Sequence, residues 1–329
     1  STSGVRTSSS SGVSTSSSPN LFTGIGLLGE WQQMSDAYVL RPKVPAKSIV
    51  LFVGGAFVGA APQQWYRYLM EELAKDGHVV VTTPYQLDFD YNKICLELSN
   101  THNSIVQSLR EEYGVELPIV GIGHSCGSLL QTMLSSNITG SESFERVANI
   151  LISFNNKPIK DAIPAFEQLV TPAAIRLTSP SSSAEGPILR SALGSIQSGL
   201  IDAQRLANTG LMPPIYENEI LPFVKQALSP LDQIPGLFER IADGVSEFSP
   251  STPDIQQSAK ETYRASNTLL VKFKEDSIDE TEIISSVLES KGSQVATLRG
   301  THVTPCIQDV LFETPLDLFT PSFVKAVRE

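Results

Sequence analysis

Leu117-Pro118-Ile119-Val120-Gly121-Ile122-Gly123-His124-Ser125-Cys126-Gly127-Ser128-Leu129-Leu130 is the stretch that decides the architecture of this chain. Leu117 to Ile122 reads as a strand covered on both faces, because almost every position is apolar rather than every second one. It runs straight into Gly123-x-Ser125-x-Gly127, and helical spacing follows from Ser128 to Leu134. A serine at the apex of so tight a strand-to-helix turn adopts strained backbone angles, and its neighbours two places away must be small for strand and helix to approach. Such a turn lifts Oγ clear of the sheet. It also aims the N–H of Cys126, at the helix N-terminus, into the space where an oxyanion forms. Ser125 is therefore the candidate nucleophile. Gly121-x-Gly123 lacks a third glycine at Cys126, which excludes a dinucleotide fingerprint. Gly54-Gly55 to Gly59 lacks the Lys-Ser/Thr of a phosphate loop.

Outward from this turn the pattern alternates. Strands are predicted at Ala37–Leu40, Ser48–Val53, His78–Thr82, Val147–Phe154, Thr268–Phe273 and Gln294–Leu298, and helices at Gln63–Lys75, Tyr91–Tyr113, Glu280–Ser290 and Pro321–Arg328. Strands separated by helices of this length pair in parallel, with helices on both faces. Between Asn155 and Arg264 only helical spacing broken by prolines is visible, as at Leu189, Leu193, Ile196 and Leu200. The expected layout is an α/β core over residues 21–156 and 263–329, interrupted before its last two strands by a helical cap at 157–262. Residues 1–20, almost wholly Ser, Thr, Gly and Val with Arg6 as the one charge, cannot bury a core. They read equally as a remnant of a transit peptide or as a disordered linker.

The 329 residues carry a formal net charge of −11, and no basic cluster occurs, which argues against nucleic acid as a partner. Cys95, Cys126 and Cys306 are an odd, sparse set without metal-ligand spacing, so no metal site or cofactor is expected and a reducing, intracellular compartment fits best. No apolar run approaches the roughly 18 residues that span a bilayer.

The strand order, the Gly123-His124-Ser125-Cys126-Gly127 turn and the insert resemble the α/β-hydrolase superfamily over residues 36–329. More narrowly, Leu51-Phe52-Val53-Gly54-Gly55-Ala56-Phe57-Val58-Gly59, the serine turn and Gly300-Thr301-His302 are similar to a hydrolase-like family of cyanobacteria and plastids, domain of unknown function 1350. That resemblance implies no substrate. It favours the transit-peptide reading and hence a plastid (chloroplast) location.

The superfamily places its acid and then its base downstream of the serine. Of four histidines only His302 lies downstream, in a loop after the last strand, whereas His124 sits inside the turn with its side chain directed away from Oγ. For the acid, Asp276 lies three residues past Phe273, and Asp279 is its rival, equally suited to capping the next helix. The second oxyanion donor is expected from the N–H of Ala56 or Phe57, beside that of Cys126. The Cys126 thiol is expected to face away from the site.

A Ser125-His302-Asp276 triad with these donors is the machinery of a serine hydrolase, with a carboxylic ester as the default substrate. Apolar clusters in the cap, such as Leu221-Pro222-Phe223-Val224 and Ile234-Pro235-Gly236-Leu237-Phe238, lean toward an acyl-lipid-like ester and offer a surface for peripheral membrane contact. The competing expectation is a non-catalytic scaffold or assembly subunit that keeps the fold, since fold does not fix function. The sequence names no protein partner.

Overall fold

Valine, isoleucine and leucine fill Ser48–Val53 (β3), His78–Thr82 (β4), Ile119–His124 (β5), Ala148–Ile152 (β6) and Thr268–Phe273 (β7), the residue types that suit a pleated surface packed from both sides. In the computed structural model, which describes residues 30–136, 144–157 and 247–306 with Gln233, Gly236, Arg240 and Val245, these strands pair in parallel. Gln294–Leu298 (β8) extends the parallel run beyond β7. Gln32–Met34 (β1) and Ala37–Leu40 (β2) close the opposite edge in antiparallel register. The order is β1-β2-β4-β3-β5-β6-β7-β8. The chain thus moves to one side of β3 to make β4 and to the other side to make β5. That reversal opens a crevice at the carboxyl ends of the strands.

Each face has its own helices. Leu51, Val53, Leu151 and Leu270 are buried beneath Tyr91–Tyr113 (α3), Cys126–Leu134 (α4), Thr252–Thr262 (α5) and Thr281–Val287 (α6). On the opposite face, Val50, Phe52, Val80, Ile122 and Val271 meet Tyr66, Met70 and Ala74 from the segment of Pro62–Trp65 (α1) and Arg67–Lys75 (α2). The Asp90 carboxylate starts α3 by accepting the N–H groups of Asn92 and Lys93, and Gly114 ends it in the left-handed region at φ +65°. Two side-chain amides anchor the sheet's centre to the helices. Gln131 Nε2 donates to Leu51 O at 2.6 Å and reaches Ile122 O at 3.2 Å, while Asn149 Nδ2 donates to Ser135 Oγ at 2.7 Å and to the Tyr263 hydroxyl at 2.8 Å.

Three features depart from the sequence reading. The Gln-Gln-Met triplet of β1 is too short to show an alternation. It pairs because Ser35, at φ +52°, turns the chain back onto β2. The helix expected over 63–75 breaks at Tyr66 into α1 and α2. Helix α5, assigned to the cap by the 157–262 boundary, instead buries Ile255 and Ala259 in the cluster that holds Leu129 and Leu270. The chain is therefore back in the core at Ser251, whose hydroxyl caps α5 by accepting from Asp254 N. Cap helices and crossover helices share one amphipathic period, so spacing alone cannot tell them apart. The tail at 1–20, the helix at 321–328 and nearly all of the remaining cap lie outside the described residues. No described helix is long and apolar enough to cross a membrane.

Two histidines are buried in this core. His102, on α3, and His124, at the end of β5, are both held neutral with pKa values near 3, chiefly by burial; Arg146 adds to the effect at His102, and His302 at His124. Both folded values lie below the unfolded 6.5, so between them the unfolded chain binds more protons. Their contribution is fully present above pH 6.5 and fades as pH falls, by about 1.4 kcal/mol per unit for each group. Urea unfolding at pH 7 and pH 5 should reveal a loss of about 4 kcal/mol. Equal stability at the two values contradicts it.

Candidate active site

The end of β5 is shaped by contacts too close for any side chain. A methyl group on Gly127 would stand 2.1 Å from Val53 O and 2.4 Å from Gly54 O, and one on Gly123 would stand 2.4 Å from Gly127 O. Only glycine at both places lets α4 start directly against β3 and β5. Between them Ser125 takes φ 55°, ψ −122°, a region closed to relaxed L-residues. The turn is braced on its far side: Ser125 N–H donates to Ile152 O at 2.9 Å, and Ser128 Oγ lies 2.8 Å from Gly123 O and 2.9 Å from Ile152 O.

His302 and Asp276 come to this serine from the loops after β8 and β7. His302 Nε2 is 2.9 Å from Ser125 Oγ, and His302 Nδ1 is 2.8 Å from Asp276 Oδ2. A carboxylate accepts, so Nδ1 carries the proton and Nε2 faces the serine hydroxyl as an acceptor. The two loops are stitched to each other by Lys274 N–H to Leu298 O at 3.0 Å, Glu275 N–H to Gly300 O at 3.0 Å and Gly300 N–H to Glu275 Oε2 at 3.0 Å. The Asp276 side chain is wholly buried. Burial pushes its carboxyl up, but the hydrogen bond and charge of His302, with the N–H of Ile278, hold it below the ordinary carboxylate value.

Asp279 does something else. Its oxygens accept from Thr281 N–H at 3.0 Å and Thr281 Oγ1 at 2.7 Å at the start of α6, and burial, the largest influence, raises its pKa. His78 bonds Ser48 Oγ at 2.7 Å at the opposite end of the strands. Of the two acids weighed from the sequence, Asp276 is the one within reach of His302.

On the other side of Ser125 runs the loop after β3. A methyl on Gly55 would lie 3.2 Å from Ser125 Cβ, so this loop touches the candidate nucleophile directly. Among the described residues, the N–H groups of Ala56 and Cys126 donate to nothing. Phe57 is held at φ +63°, with its carbonyl accepting from Ala60 N at 2.9 Å and from Gln233 Nε2 at 3.3 Å. The Cys126 thiol lies inside, near Tyr85 and Tyr91. Burial drives it up to about 12 although both phenols oppose the shift, so it stays protonated. A cleft of about 550 Å³ beside the acid loop has charged walls, including Lys157, Lys272, Asp279 and Glu282, and neither Ser125 nor His302 lines it. Among the described residues no three His, Cys, Asp or Glu side chains group as metal ligands would.

Two contributors escape sequence reasoning. The Tyr66 hydroxyl and the His124 ring bond each other at 2.8 Å, and His124 Nε2 bonds the His302 carbonyl at 2.8 Å. His124 was traceable as a large polar residue in an otherwise small-residue turn; Tyr66 sits at a helix break that spacing does not reveal.

A crossing that reverses at β3, with a strained serine where β5 meets α4, is the α/β-hydrolase fold. Over residues 30–193 and 196–326 the chain matches, and belongs to, the family described as Protein of unknown function (DUF1350). No curated protein matches it. Among solved structures it is similar to a carboxylesterase of Nitrososphaera gargenis at 12% identity and TM-score 0.44, covering 91% of this chain and 98% of that one. It is similar to carboxyl esterase 2 of Tuber melanosporum at 17% identity and TM-score 0.46, covering 89% and 79%. A hydrolase from Pseudomonas aeruginosa gives 12% identity, TM-score 0.43 and coverage of 91% and 98%.

Gly127→Ala should destabilise the protein by about 3 kcal/mol or more, because the atoms it meets are backbone and cannot rotate away. A thermal melt measures this, and an unaltered midpoint contradicts the packing described here.

Proposed function

We propose that this chain is a serine hydrolase acting on carboxylic esters. The observation that carries the reading is the unbroken chain from the Asp276 carboxylate through His302 to Ser125 Oγ, at 2.8 and 2.9 Å. Ser125 Oγ attacks the ester carbonyl as His302 Nε2 takes its proton. The resulting oxyanion lies between the N–H groups of Cys126 and Ala56, donors with no other described partner. His302 then gives the proton to the departing alkoxide, leaving an acyl-serine. Water, deprotonated by the same nitrogen, releases the acid and restores Ser125. Asp276 stays ionised throughout, fixing the tautomer and stabilising the imidazolium. The apolar sequence of the cap supports a substrate with an acyl chain and peripheral membrane contact, and the family resemblance, by favouring a transit peptide in the tail, supports a plastid location.

A fluorophosphonate probe should label the wild-type protein and leave Ser125→Ala unlabelled. On a short nitrophenyl ester, Asp276→Asn should lower kcat about 10⁴-fold, because the wrong tautomer forms. Asp279→Asn should leave kcat within about threefold, its bonds being to a helix start. Failure of the wild type to label removes the enzyme reading, and parity between the two aspartate variants removes the role given to Asp276.

A further inference from the structure

The chain of three hydrogen bonds through Tyr66 and His124 begins and ends on parts of the site that come from distant strands. Gly55 N–H donates to the Tyr66 hydroxyl at 2.8 Å, that hydroxyl lies 2.8 Å from His124 Nδ1, and His124 Nε2 lies 2.8 Å from the backbone carbonyl of His302. Gly55 precedes Ala56 in the loop after β3, and His302 follows β8; three strands lie between β3 and β8 in the sheet.

The direction of every bond is forced. A carbonyl only accepts, so His124 Nε2 carries the proton. A neutral imidazole with Nε2 protonated has only Nδ1 left to accept, so Tyr66 must donate to it. The phenol oxygen then turns a lone pair to Gly55 N–H. This order of donors belongs to neutral His124, because an imidazolium would donate from Nδ1 and reverse its bond to Tyr66. Burial, and after it the charge of His302, 5.0 Å away between ring centroids, keep it neutral with a pKa near 3. The charge that appears on the base during turnover therefore reinforces the arrangement. Tyr66 is itself fixed: its ring is buried against Phe52 at 4.8 Å between centroids, and the Cys306 thiol of the His302 turn lies beside its hydroxyl.

We propose that Tyr66 and His124 are positioning residues that lock the oxyanion loop at Gly55 to the loop carrying His302, so that the amide donors and the base hold one geometry around Ser125. The proposal rests on the serine hydrolase reading and deepens it. Neither residue touches the reacting atoms. What they fix is the separation between Ala56 N–H and His302 Nε2, which must suit a single transition state. Displacing one oxyanion donor is worth about 10²–10³ in turnover, and loosening rather than deleting it should cost part of that.

The test compares Tyr66→Phe, His124→Gln, His124→Leu and the Tyr66→Phe/His124→Gln pair on the full chain. Readouts are the fluorophosphonate labelling rate at Ser125, kcat and KM on nitrophenyl acetate, and the melting midpoint. Tyr66→Phe keeps the ring and removes only the hydroxyl, and should lower kcat and labelling rate about tenfold to a hundredfold with KM within about twofold. His124→Gln retains an amide donor able to reach the His302 carbonyl and should keep more activity than His124→Leu. Because the two residues act through one chain, the pair should lose little more than Tyr66→Phe alone. Wild-type protein that neither labels nor turns over ends the hydrolase reading itself. Wild-type labelling with unchanged kcat in Tyr66→Phe, or losses that multiply in the pair, overturns the positioning role. Should Tyr66→Phe fail to fold, His124→Gln decides by the same kcat criterion.

Discussion

Where α4 begins, its first turn lies so close to the ends of β3 and β5 that a single methyl at Gly127 would overlap the carbonyl oxygens of Val53 and Gly54. Nearly everything at the site depends on that approach. It places Cys126 N–H, at the positive end of a helix, next to the loop that carries Ala56 N–H. It also leaves Ser125 no relaxed conformation. A non-glycine residue at φ 55° costs on the order of 1–3 kcal/mol. The bonds from Ser125 N–H to Ile152 O and from Ser128 Oγ to the strand carbonyls supply the local restraint that keeps the strain in place.

Asp276 and His302 obey a different constraint. Asp276 is buried, and a carboxylate without a partner there would take up a proton and lose its use as an anchor. His302 is that partner, and the backbone bonds between Glu275 and Gly300 hold the two loops in fixed relation. Asp279 sits against Thr281 instead of an imidazole, and its pKa moves up rather than down. Two carboxylates three residues apart thus differ in character because one faces a potential cation and the other a helix start.

How much of this was legible in the sequence follows from where the information lies. The five central strands could be read because burial on both faces leaves an apolar run that stands out in one dimension. The serine turn could be read because two close approaches impose glycines at fixed spacing. His302 emerged because the superfamily resemblance implies a base downstream of the serine, and only one of the four histidines lies there. What stayed hidden depends on contacts rather than pattern. β1 is three residues, Gln-Gln-Met, whose pairing comes from one turn residue, and α5 has the same amphipathic period whether it serves a cap or a core. Tyr66 sits at a break between α1 and α2, where no periodicity marks it, and its meeting with His124 spans 58 positions of sequence. Asp276 and Asp279 could not be separated without knowing which one faces the imidazole.

His102 and His124 sharpen that point. Both are enclosed, and burial depresses both to a pKa near 3. A depressed value therefore records desolvation, not chemistry. Their hydrogen bonds separate them. Among the described residues neither ring nitrogen of His102 has a partner, and Arg146 nearby only disfavours its charge further. Both nitrogens of His124 are engaged, one as acceptor and one as donor, and each bond leads to a different loop of the site. A buried imidazole that merely fills space leaves its polar atoms idle at some cost. One whose two nitrogens are matched to a phenol and a carbonyl has a fixed ring orientation and transmits the position of each neighbour to the other. In this fold the difference between a core histidine and a functional one lies in what the second nitrogen touches.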